Sequence, residues 1–135
     1  MPRSCIVDSG ALVALLDPRE EHHRWARETF FRQPEPWFTC EAVVSETFFL
    51  LHEPHARALE KLLRQGYLRL GLNLADELAQ VLDLMDKYAD VPMSLADACL
   101  VRMSETLPDP VVLTTDADFK IYRRHSRQVV PYRLP

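Results

Sequence analysis

The chain has 135 residues, 47% of them hydrophobic, which suits one compact domain over residues 1–135. Its formal net charge of −4 excludes the broad basic footprint of a non-specific nucleic-acid binder, so any such contact must rest on local positive charge. No apolar run approaches the roughly 18 residues needed to span a bilayer, and Met1-Pro2-Arg3-Ser4 leads straight into a structured pattern; the expected location is the cytoplasm, off the membrane.

Arg3 to Asp8 is a short apolar run ending in an acid, and Ser9 to Leu16 is permissive for helix, giving strand, tight turn, helix. Trp25, Ala26, Phe30 and Phe31 recur at helical spacing within Glu20 to Arg32, and Pro34 and Pro36 stop that helix. Trp37 to Cys40 reads as a second strand, after which Thr39 is expected to cap a helix that carries Glu46 and closes before Pro54. His55 to Arg64 is amphipathic and ends at Gly66, Tyr67 to Leu72 reads as a strand, and Ala75 to Tyr88 returns to helical period. Ser94 is a candidate N-cap for a helix with Asp97 in its first turn, ended by Pro108-Asp109-Pro110. Val111 to Thr115 is a strand followed at once by Asp116, and Val129 to Leu134 a last strand.

Strands alternating with helices predict an α/β fold, a parallel sheet with right-handed crossovers, and such sheets bind ligands beyond the carboxyl ends of their strands. Asp8 and Asp116 lie at strand ends and Glu46 and Asp97 on early helical turns, so the four acids can meet in one crevice. At about 4 Å and an effective dielectric near 20, each like-charged pair repels by roughly 4 kcal/mol, a cost that a divalent cation offsets. Oxygen ligands without clustered His or Cys favour Mg²⁺ or Mn²⁺ over Zn²⁺, and phosphate groups complete such sites, which points to phosphodiester hydrolysis.

Each acid also has a plainer reading. Asp8 suits a helix cap, Ser94-x-x-Asp97 a capping box, Glu46 a solvated stripe between apolar residues, and Asp116 and Asp118 an ordinary loop. His22 and His23 are adjacent and cannot share a helix face, so a metal pair is not expected. Cys5, Cys40 and Cys99 form no C-x-x-C pair and read as small buried hydrophobes.

Four segments in order resemble the PIN-domain family, in particular its VapC-type toxins: Ile6-Val7-Asp8-Ser9-Gly10-Ala11-Leu12 with the residues to Leu16, Thr39 to Glu46, Ser94-Leu95-Ala96-Asp97-Ala98, and Leu113-Thr114-Thr115-Asp116-Ala117-Asp118-Phe119. The resemblance implies an α/β/α sandwich and a metal-dependent endoribonuclease, the toxin half of a toxin–antitoxin pair, working as a homodimer and silenced by a cognate antitoxin. It carries Asp8, Glu46, Asp97 and Asp116 over as the catalytic cluster that holds Mg²⁺ or Mn²⁺, with Asp8 and Asp97 as direct ligands. Glu46 and Asp116 would act through water, at a second metal position or on the nucleophile. The hydroxyls of Ser9 and Thr115 would hydrogen-bond within the cluster, with Asp118 peripheral.

RNA contact would then fall to Arg24, Arg27, Lys120, Arg123 and Arg124. Trp25, Phe30, Phe31, Trp37, Phe48 and Phe49 divide between core and a dimer or antitoxin surface, with core the first expectation. Two readings compete with the nuclease: a non-catalytic PIN-like module that binds RNA or protein, and a phospho-acceptor domain. The latter lacks support because Asp8 is followed by Ser9-Gly10 rather than by a second acid. A nuclease acting on flap junctions would need an added arch that the chain does not have.

Overall fold

The computed structural model describes residues 2–135. Five parallel strands form one sheet: β1 (Ser4–Val7), β2 (Trp37–Thr39), β3 (Leu68–Leu70), β4 (Pro110–Leu113) and β7 (Tyr132–Arg133), in the order β3-β2-β1-β4-β7. Six helices flank it: α1 (Ser9–Leu16), α2 (His23–Phe31), α3 (Glu41–Leu50), α4 (His55–Arg64), α5 (Leu74–Lys87) and α6 (Leu95–Thr106). The central strands β1 and β4 are buried along their whole length, because helices cover a parallel sheet on its faces and leave no polar side to alternate.

The pairing of β1 with β4 runs Ser4 to Pro110 through Val7 to Leu113, so the next residues past each strand, Asp8 and Thr114, leave the sheet side by side. Asp8 donates its backbone N–H to Leu113 O at 3.0 Å, which extends the ladder by that one residue.

Several expected boundaries move. Thr39 does not cap α3: it stays in β2 and its hydroxyl donates across the sheet to Val7 O at 2.9 Å, which leaves Cys40 as the N-cap without a side-chain bond. The expected last strand is divided at Pro131, which has no N–H for a ladder. Its first half, β6 (Gln128–Val129), instead pairs antiparallel with β5 (Arg123–Arg124). This basic hairpin turns through His125 and Ser126, both at positive φ (49° and 66°), with Arg127 N–H donating to Arg124 O at 3.3 Å, the pattern of a type I′ turn. Gly66 ends α4 at φ 78°, as its place after the helix implies.

The aromatic residues divide as well. Phe30 and Trp37 meet edge to face at 4.8 Å in the core, and Trp25 is half-buried against it. Phe31 and Phe49 are 73% and 84% exposed, and Phe48 is exposed too. All three cysteines are buried and free. Among the described residues no helix is long and apolar enough to cross a membrane.

Candidate active site

Asp8 caps α1, and both of its carboxylate oxygens are occupied. Oδ1 accepts the N–H of Ser9 at 2.7 Å, and Oδ2 accepts the hydroxyl of Thr114 at 2.8 Å. The same Thr114 oxygen accepts the N–H of Asp116 at 2.9 Å, so one buried hydroxyl ties the acid after β1 to the acid after β4. Asp116 in turn accepts the N–H of Asp118 at 2.9 Å and caps the short 3-10 turn Ala117–Lys120.

Asp97 reaches the crevice from α6 and closes a capping box. Its N–H donates to Ser94 Oγ at 3.0 Å and its Oδ2 accepts the N–H of Ser94 at 3.1 Å. The hydroxyl of Tyr122 lies 3.4 Å from the same Oδ2. Asp8 and Asp97 thus both cap helices, as their plainer readings expected.

These carboxylates disturb one another. Burial pushes Asp8 up to about 6; the Thr114 and Ser9 bonds work against that, and the charges of Asp97 and Asp116 add to it. Asp97 is also raised, first by burial and then by Asp116, against the opposing Ser94 bonds. Burial, followed by the negative charges of Asp97, Asp118 and Asp116, raises Tyr122, so its phenol stays protonated and able to donate.

Of the four acids expected at the centre, Asp8, Asp97 and Asp116 lie within one another's electrostatic reach. Glu46 does not join them by a hydrogen bond among the described residues. It is exposed on α3, one turn before Leu50, which shares a hollow of about 270 Å³ with Gly10 and Thr115.

The expected hydroxyl partners are corrected. Ser9 serves Asp8 through its backbone N–H, and the hydroxyl that binds the cluster belongs to Thr114 rather than to Thr115. Thr115 is exposed, and its Oγ1 packs so tightly on Gly10 that a Cβ there would come within 2.1 Å. Asp118 contributes its N–H to Asp116 and its charge to the surroundings of Tyr122. Thr114 and Tyr122 are the two residues that sequence reasoning missed. The first could have been found by pairing β1 with β4 in register, whereas the second carries no local signal.

Several of the expected cations have partners of their own. One Arg123 nitrogen donates to three carbonyls, Lys120, Ile121 and Tyr122, and Arg24 pairs with Glu28 at 3.2 Å. Arg27 stands 5.9 Å from the ring centre of Phe31. Lys120, exposed in the turn after Asp116, is the candidate nearest in sequence to the acids. His23 Nδ1 lies 2.7 Å from Ala14 O, a packing role rather than a ligand pair with His22.

A family model described as PIN domain matches residues 5–124. The chain belongs to the PIN-domain family. Its fold is similar to the crystal structure of VapC20 from Mycobacterium tuberculosis, described as a sarcin–ricin loop cleaving toxin. The TM-score is 0.78 at 21% identity, over 87% of this chain and 94% of that one. No curated protein matches the sequence.

In this PIN domain the donor chemistry suits a hard cation. Among the described residues no three acidic, His or Cys side chains converge as a ready-made cage. Mg²⁺ does not require one, since one or two carboxylates completed by water and substrate phosphate suffice. Asp8 and Asp97 are the buried pair whose raised protonation a divalent cation would reverse.

Proposed function

We propose that this PIN domain is a Mg²⁺- or Mn²⁺-dependent endoribonuclease, the toxin component of a VapBC-type pair, acting in the cytoplasm as a homodimer restrained by a cognate antitoxin. The observation that supports the reading is Asp8, capped just beyond β1, held by two donors and still raised to about 6, first by burial and further by the charges of Asp97 and Asp116. A cationic ligand would offset the mutual repulsion of these carboxylates, and VapC20, which shares the fold, is described as a sarcin–ricin loop cleaving toxin.

Asp8 and Asp97 would hold the cation, with Asp116 and Glu46 on its outer side. Bound there, the cation would lower the pKa of water and offset charge on the phosphate oxygens. The chain's own part is positional: Thr114 and Ser9 fix the Asp8 carboxylate, the capping box fixes Asp97, and Lys120 offers a charge to the RNA backbone. Exposed Phe31, Phe48, Phe49 and Leu50 supply apolar surface for an antitoxin segment or a second copy.

The exposure of Glu46 favours one rival, a PIN-like module that binds RNA without cutting it. Wild type and Asp8→Asn assayed on total cellular RNA with EDTA, Mg²⁺ or Mn²⁺, with mapping of new ends, separate the two. Cleavage by the wild type alone, and only with metal, supports the nuclease and reveals its target; equal or absent cleavage in both supports the binding module.

A further inference from the structure

Tyr122 is fully buried, two residues past the 3-10 turn that follows Asp116. Its ring is wedged edge to face between Tyr88 and Phe119, each at a centroid distance of 5.2 Å, so the phenol has a fixed direction. That direction ends on Asp97: the hydroxyl lies 3.4 Å from Oδ2, its one hydrogen-bond partner among the described residues. Ser94 donates its N–H to the same oxygen at 3.1 Å. Both of these donors fall on Oδ2 of Asp97, and neither reaches Oδ1.

We propose that Tyr122 is a positioning residue for Asp97, holding Oδ2 so that Oδ1 is left to the divalent cation. The proposal rests on the nuclease reading above. It joins two parts of the chain that the sheet alone does not tie, α6 with Asp97 and the segment after β4 with Asp116. Partners that hydrogen-bond a ligating carboxylate from outside fix its orientation, and their loss typically lowers metal affinity 10- to 100-fold. Tyr122 occupies that position with the ring packing needed to keep it there.

A purely structural phenol would occupy the same space, and Tyr88 serves as the control. Its hydroxyl accepts the N–H of Arg123 at 2.8 Å, its ring belongs to the same stack, and it does not hydrogen-bond Asp97. Mn²⁺ affinity, read by electron paramagnetic resonance at pH 7.5, is compared for wild type, Tyr122→Phe and Tyr88→Phe, with melting in EDTA and circular dichroism reporting the fold. Tyr122→Phe is expected to bind Mn²⁺ roughly 10- to 100-fold more weakly, and Tyr88→Phe to bind within about twofold of wild type while melting earlier. Unchanged Mn²⁺ affinity in Tyr122→Phe overturns the positioning role and leaves the nuclease reading standing. Equal loss in both variants reduces Tyr122 to packing. A wild type that binds no Mn²⁺ overturns the nuclease reading, and the positioning role with it.

Discussion

Helix α1 has an aspartate at each end, and the two are opposites. Asp8, at the N-cap, is buried, accepts two hydrogen bonds, and is nevertheless pushed up to about 6. Asp17, at the C-cap, is partly exposed and is held below its ordinary value, first by the side-chain bond from Arg19 at 3.2 Å and then by the Arg19 N–H, with His55 3.6 Å away. Hydrogen bonds are present at both. What separates them is burial and the sign of the neighbouring charge: the Arg19 guanidinium beside Asp17, and the carboxylates of Asp97 and Asp116 acting on Asp8. A carboxylate held against such a cost is a better pointer to chemistry than cavity size. The larger apolar hollow of about 640 Å³, lined by Glu41, Val44, Leu63, Leu68 and Leu70, includes none of Asp8, Asp97 and Asp116.

The contrast breaks most visibly in cleavage. Asp8→Asn should lower metal-dependent RNA cleavage by roughly a hundredfold or more, and Asp17→Asn should leave it within about twofold, in initial-rate assays at saturating Mg²⁺.

A smaller effect sharpens the role of the β1–β4 register. Thr114→Val strips Asp8 Oδ2 and the Asp116 N–H of their shared partner and should cost about 1–3 kcal/mol in urea unfolding. Thr115→Val, one residue on but exposed, should change stability by less than about 0.5 kcal/mol. Gly10→Ala meets Thr115 Oγ1 at 2.1 Å and should destabilise by about 1 kcal/mol, partly recovered when Thr115→Ala is added.

Sequence alone reached the parallel sheet, the acids beyond β1 and β4, and the Ser94–Asp97 cap, because each depends on short-range pattern or on the end of an apolar run. Thr114 required the pairing of two strands more than 100 residues apart, and without that register Thr115 looks equivalent to it. Tyr122 required the packing of three aromatic rings drawn from two segments. Glu46 sits among Val43, Val44, Phe48 and Phe49, a helix apolar on several sides, so periodicity could not decide which way it faces; contacts with α1 and α6 decide that. The basic hairpin β5–β6 was invisible because Arg, His and Ser carry no strand pattern, and its turn depends on two residues at positive φ.

The most direct measurement is thermal melting of wild type and Asp8→Asn across pH, in EDTA and in Mg²⁺. Asp8 is raised from 3.8 to about 6 in the folded chain, so between those values the folded state holds a proton that the unfolded state has lost. In EDTA, wild-type stability should therefore fall as pH rises from about 4 to 6. At pH 7.5 Asp8→Asn, which carries no such charge, should be the more stable by on the order of 1–2 kcal/mol. Mg²⁺ should then raise the wild-type midpoint and leave that of Asp8→Asn unmoved. If Mg²⁺ leaves both unmoved, or raises both equally, Asp8 and the carboxylates around it are not a cation site.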